Sequence, residues 1–232
     1  MFLYIMFMLP GLILMLWAQS RVKGAYSKWG RVQNMRNITG AQAARMILDA
    51  NGLQDVAITA VPGELTDHYD PRKRILALSQ GVYGVPSVAA IAIAAHESGH
   101  ALQHAKNYNW LTVRTAIVPA VSIGSNFGFI VLFAGLLLQI PGLAWAGVIL
   151  FGLSTLFAFI TLPVEFDASN RAKVALVQVG LVDGGVAGGS EGKGVSQVLG
   201  AAAWTYVAGF ATSVLTLLFY VMQVSGMSSR RN

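Results

Sequence analysis

The chain has 232 residues, 55% of them hydrophobic and only 11% charged, at a mean hydropathy of +0.58; these values exclude an ordinary soluble domain and make a bilayer the natural solvent. Cysteine is absent, which excludes disulfides, a thiolate nucleophile and thiolate metal ligands, so any metal must be held by His or carboxylate. The net charge of +6 does not indicate nucleic acid, because the Lys and Arg are spread along loops without an aromatic-interleaved basic module.

Four stretches are long and apolar enough to cross about 30 Å of hydrocarbon as helices: residues 2–19, 116–139, 143–163 and 198–223. The first reads as a retained anchor occupying 1–19, since it has neither a basic n-region nor a small-residue cleavage pattern. The second and third form a hairpin over 116–163 that turns at "IPG" around Pro141. The fourth, with its tail, fills 198–232. The intervening loops, 20–115 and 164–197, share one side and hold fourteen of the sixteen basic residues. By the positive-inside rule both loops are expected in the cytoplasm, against the pull of Arg230 and Arg231. The expected fold is a mainly α, multi-pass integral membrane protein: four transmembrane helices and a small α+β unit, with lipids as its surroundings.

In the larger loop, "TGAQAARMILDANGL" predicts a helix with Thr39 as N-cap and a stop at Asn51 and Gly52. "VAITAV", "LTDHY" and "RILALS" are short β-prone runs separated by "PGE" and "DPRK", and predict a three-stranded antiparallel sheet. "VPSVAAIAIAAHESGHALQH" predicts one long helix capped by Ser87. Its apolar run of about eleven residues is too short to cross a bilayer, and its polar cluster is costly in hydrocarbon. In the smaller loop, Pro163 predicts the start of a new helix, and the glycine-rich "DGGVAGGSEGKG", 183–194, reads as a flexible loop.

The chemistry is concentrated in "HESGH". On a helix, i and i+4 share a face, so His96 and His100 can turn both imidazoles towards one metal ion, and Glu97 lies roughly 100° round the axis. A zinc ion in such a site acidifies a water and polarises a carbonyl, while the carboxylate of Glu97 takes the proton and delivers it to the leaving amine. The implied reaction is peptide-bond hydrolysis. The bland alternative is a chance pattern on an exposed helix face. A catalytic zinc needs a third protein ligand, for which His68, His104, Glu165 and Asp167 are candidates. One helix does not easily wrap three ligands round a tetrahedral ion, which counts against His104. Glu165, directly after the third span, is favoured, although an acidic residue at a helix N-terminus is also stabilising without a metal.

"LTDHYDPRKRILALS", "AAHESGHALQH", "LPVEFDASNRA" and "AAAWTYVAGF" together resemble the bacterial membrane zinc metallopeptidases of the YugP type, over most of the chain. That resemblance implies a neutral zinc metallopeptidase of the bacterial inner membrane, its α+β part a small zincin-like catalytic unit with a gluzincin-like site: His96, His100 and Glu165 as ligands, Glu97 as catalytic base and Zn2+ as cofactor. In more distant membrane gluzincins an Asp commonly follows the ligand Glu by four positions; here that position is Ser169, and Asp167 stands two residues after Glu165. In zincins an edge strand binds substrate backbone, and "LTDHY" or "RILALS" could serve. His68 or Tyr69 is a candidate oxyanion donor. Arg171 could pair with Asp167 or substrate, or simply mark the inner interface. Protein or peptide substrates follow, with no nucleic-acid partner and no indication of oligomeric state. The alternative function is a non-enzymatic membrane scaffold or adaptor with a structural or vestigial metal. A metal transporter is a weaker reading, because the spans contain no His, Asp, Glu, Lys or Arg.

Overall fold

The computed structural model describes residues 2–182 and 189–229, and Arg230 and Arg231 lie outside them. In chain order the elements are α1 (Phe2–Trp29), α2 (Gly40–Ala50), β1 (Ala57–Val61), β2 (His68–Asp70), β3 (Ile75–Ser79), α3 (Gln80–Tyr83), α4 (Val88–Ala105), α5 (Asn109–Leu137), α6 (Pro141–Gln178) and α7 (Gly189–Ser229). Four of them, α1, α5, α6 and α7, are long and apolar enough to cross a membrane, and α4 is not among these. Each runs beyond the apolar stretch that marks it in the sequence. The chain divides into two compact units, one of Met1–Ala18, Asn109–Pro163 and Thr205–Asn232, the other of Gln19–Tyr108 and Val164–Trp204.

The first unit is built from apolar helical segments. Without a hydrophobic force between helices in lipid, close backbone packing does the work, and α5 and α6 touch through glycine. A Cβ on Gly135 would come within 2.2 Å of the Ala144 nitrogen, and one on Gly147 within 2.3 Å of the Leu132 nitrogen. Leu132, Ala144, Val148, Phe219, Tyr220 and Val224 are buried in its interior. The α5–α6 turn is tight, as the sequence leads one to expect, and Pro141 opens α6, where its missing N–H has no intrahelical partner to lose.

The second unit holds the mixed α and β structure. Helix α2 begins at a capping box in which Thr39 and Gln42 satisfy each other's backbone N–H groups, and it stops at Asn51 before Gly52 at φ +74°. Arg45 donates to the carbonyls of Leu53 and Val56, tying α2 to the start of β1. The sheet has the order β1-β3-β2. It is mixed rather than antiparallel throughout: β1 pairs with β3 in parallel and β2 pairs with β3 antiparallel. "PGE" is a turn signal, but it does not decide which strand becomes the neighbour. The chain after β1 crosses to the far side of β3 with Gly63 at φ +100° and Leu65 at φ +55°. There the Asp67 carboxylate accepts from the backbone N–H of Ser79 at 2.7 Å and from its hydroxyl at 3.0 Å, which fixes the start of β2 beside the end of β3. Strand β3 is therefore central, and Leu76–Ser79 are buried, as a strand covered on both faces requires.

Helix α4 starts at Ser87, whose hydroxyl accepts from the Ala90 N–H. Its first two turns are apolar and mostly alanine, and they sit deep in a core shared with Ile47, Leu48, Val56, Leu76 and Leu78. Two further expectations are corrected. Pro163 lies inside α6, which runs unbroken from the span to Gln178, instead of starting a new helix. Residues 183–188 lie outside the described residues, but 189–194 form the first turns of α7 rather than a loop. Packing overrides the glycine content there: Gly194 lies against the Trp29 ring, the Trp29 indole N–H donates to Gln197, and Glu191 accepts from the Met35 N–H. The short α3 carries no strong sequence signal.

Because Ser79 is fully buried, Asp67→Ala leaves two donors without an acceptor. We expect it to lower the unfolding free energy by about 1–3 kcal/mol in a denaturant titration, and Asp67→Asn, which keeps one acceptor, to cost less.

Candidate metal centre

His96 and His100 stand one turn apart on α4, with ring centroids 4.9 Å apart and planes crossed at 84°. Facing them is Glu165 of α6. One oxygen of its carboxylate lies 3.2 Å from His96 Nε2 and 3.5 Å from His100 Nε2, and the three candidate ligand atoms lie within 4.8 Å of one another. All three side chains are largely withdrawn from solvent, Glu165 at 3% exposure. For a tetrahedral ion with bonds near 2.0–2.1 Å, the edge between two donors is about 3.3–3.4 Å. The two His–Glu separations bracket that edge, so these residues fit a zinc ion.

The local sequence explains the convergence. A Cβ on Gly99 would come 2.5 Å from the carbonyl oxygen of Ala168, so α4 and α6 meet backbone to backbone within one turn of both histidines. Ala168 and Ala172, also small and fully buried, continue that contact along α6. Any larger residue would hold Glu165 away.

Both imidazoles are backed through Nδ1. Ser169, one turn after Glu165, places its hydroxyl 3.2 Å from His96 Nδ1. His100 Nδ1 lies 3.0 Å from the Gln103 Oε1, and Gln103 Nε2 donates to the Val164 carbonyl at 2.7 Å and to Asp167 at 2.8 Å. Arg171 pairs with Asp167 and lies over the Tyr108 ring. The group four residues after Glu165 is thus a hydroxyl on His96. Asp167 acts on His100 only through Gln103, a residue the sequence reading passes over although i+3 from His100 puts it on the same side of the helix.

Glu97 is buried at 8% exposure and has no hydrogen-bond partner among the described residues. It follows His96 directly in sequence, and its charge bears on His100. His68 is not part of the cluster. It is exposed on β2, with Nδ1 2.9 Å from the Thr66 carbonyl, and strand alternation directs it away from the face taken by Tyr69. Tyr69 turns towards α4 and hydrogen-bonds His104 Nδ1 at 3.0 Å; burial pushes its phenol up from its ordinary value, so it stays protonated. His104 belongs to that pair and not to the Glu165 cluster. "RILALS" has both edges occupied as the central strand, which leaves "LTDHY" with a free edge.

A family model described as "Putative neutral zinc metallopeptidase" matches residues 4–225. The chain belongs to this family. As a member of it, the chain is also 44% identical over 220 residues to "Putative membrane protease YugP" of Bacillus subtilis (strain 168), an alignment covering 95% of this chain and 96% of that protein. No solved structure matches it.

The close helix contact and the buried charges each have a measurable consequence. Gly99→Ala places a methyl group against backbone that cannot swing aside. We expect about 1–3 kcal/mol of destabilisation together with weakened zinc binding, read by denaturant unfolding and zinc titration. The other consequence concerns pH. Burial opposes a charged ring at His100, but its hydrogen bond to Glu165 and the charges of Glu97 and Glu165 outweigh that and raise it above the ordinary 6.5. In the metal-free protein this contributes stability that is present below 6.5 and lost as pH rises through the raised folded value. A metal displaces that proton, so zinc binding near neutral pH should release protons, and affinity should fall as the solution is acidified. Calorimetry in buffers of different ionisation enthalpy measures the proton count; zero release contradicts the assignment.

Proposed function

We propose that the protein is a membrane-embedded, zinc-dependent endopeptidase, with His96, His100 and Glu165 holding the ion and Glu97 as general base. The single observation that carries this reading is the approach of two imidazole Nε2 atoms to one Glu165 oxygen, with Glu97 buried and uncommitted beside them. When bound, zinc supplies Lewis acidity: it polarises a peptide carbonyl and acidifies a water. Glu97 takes a proton from the attacking water on a carboxylate oxygen and passes it to the leaving amide nitrogen. His96 and His100 present Nε2 because Ser169 and Gln103 occupy their Nδ1 atoms. Glu165, as a carboxylate, offsets part of the ion's charge.

The surrounding unit is zincin-like in this reading, and its ligand set gluzincin-like. A helix bearing two ligands lies behind a sheet whose antiparallel edge strand, β2, has one unpaired side. An extended substrate segment pairs there through backbone hydrogen bonds, a mode with little sequence preference. Tyr69, rather than His68, is the member of that neighbouring pair turned towards α4, and it is the better candidate to steady a substrate carbonyl. The catalytic unit is cytoplasmic at the inner face of a bacterial plasma membrane, a side supported by the concentration of Lys and Arg in 20–115 and 164–197. Both of those loops fall largely within one compact unit. Substrates are membrane-associated proteins or peptides.

The test is Glu97→Gln. The purified variant should bind zinc like wild type, yet cleave casein or a membrane-protein substrate about 10²–10⁴-fold more slowly. Cleavage at the wild-type rate would refute the assignment.

A further inference from the structure

Gln103 is completely buried in the second unit, and every hydrogen-bonding group of its amide is engaged. Both acceptors facing its nitrogen are unambiguous, a backbone carbonyl and a carboxylate, so the amide has only one orientation in which its hydrogens are satisfied. Its oxygen then faces His100 Nδ1. An amide oxygen only accepts, so Nδ1 must carry a proton, and Nε2, the nitrogen 3.5 Å from Glu165, is the one left to offer a lone pair to a metal in place of a proton. The first of those acceptors, the Val164 carbonyl, belongs to the residue immediately before Glu165. One side chain on α4 therefore fixes both the tautomer of one ligand and the height on α6 at which another stands.

Metal-binding histidines are usually backed by a carboxylate, backbone carbonyl or water. Here a neutral amide stands at His100, and the negative charge is one bond further out, on Asp167, capped by Arg171. The order along the network is Arg171, Asp167, Gln103, His100. Gln103 works in the middle because it has opposite polarity at its two ends, accepting from the imidazole and donating to the carboxylate. A carboxylate in its place would accept from the imidazole but confront Asp167 with a like charge.

We infer that Gln103 is the positioning residue of the metal centre: it holds His100 in the Nδ1–H tautomer and pins α6 so that Glu165 meets the histidine pair. This inference rests on the zinc reading proposed above.

The experiment measures zinc affinity of the full-length, detergent-solubilised chain by competition with a chromophoric chelator, and the visible absorption of the Co2+-substituted form. The series is wild type, Gln103→Leu, Gln103→Glu, and Gln103→Glu combined with Asp167→Asn. Gln103→Leu should weaken zinc about 10–100-fold and alter the cobalt spectrum. Gln103→Glu should also weaken it, because it sets two carboxylates face to face and removes the donor to the Val164 carbonyl. The double variant exchanges amide and carboxylate along the same line: the new carboxylate at position 103 accepts from His100, and the new amide at position 167 donates to that carboxylate. Affinity should then exceed that of Gln103→Glu yet stay below wild type, because position 103 no longer donates to the Val164 carbonyl, a partial rescue that a purely space-filling role does not produce and that does not depend on the leucine variant folding. Wild-type affinity and spectrum in Gln103→Leu, or a double variant no better than Gln103→Glu, overturns the positioning role while leaving the zinc site intact. A wild-type protein that binds no zinc overturns the metal reading itself, and this inference with it.

Discussion

Two helix backbones lie against one another at Gly99 and Ala168, and the candidate site depends on that contact. His96 and His100 share a face of α4 by helical spacing alone, but a third group has to come from another element. Glu165 reaches them because nothing larger than hydrogen projects from position 99, and because Ala168 and Ala172 keep the facing side of α6 nearly as bare. Bulk at any of these positions would leave two histidines without a carboxylate between them.

Around this contact the polar groups are arranged so that each has a defined partner. Ser169 stands behind His96 and Gln103 behind His100, so both rings are fixed from their far nitrogens. Glu97 has no such commitment among the described residues. Holding the ligands rigid while leaving one buried carboxylate uncommitted separates the groups that would bind from the group that would move a proton.

Much of this is legible in the sequence, and what is not has physical reasons. The four apolar stretches mark the long helices, but not their ends, because helix continues wherever backbone bonds can be made, whether or not the flanking residues are apolar. Pro163 signals a boundary only in isolation; within α6 it removes one N–H donor, and the helix continues through it. The sheet's turns are readable at "PGE" and "DPRK", while the placing of β2 on the far side of β3 from β1 rests in part on Asp67 binding Ser79, a contact no local pattern encodes. His68 and Tyr69 are equivalent in sequence, and only the pleat separates them, turning Tyr69 to α4. Gln103 draws no attention because glutamine is ordinarily a surface residue. Its signal is its place three residues after a metal-ligand candidate, on a helix rich in buried small side chains.

The most direct measurement is anomalous X-ray scattering at the zinc edge on crystals of the zinc-loaded protein. The account predicts one peak per chain, within bonding distance of His96 Nε2, His100 Nε2 and a Glu165 carboxylate oxygen, with a fourth position open to solvent. A peak bound elsewhere, a fourth protein ligand closing the site, or no peak among those three side chains would contradict it.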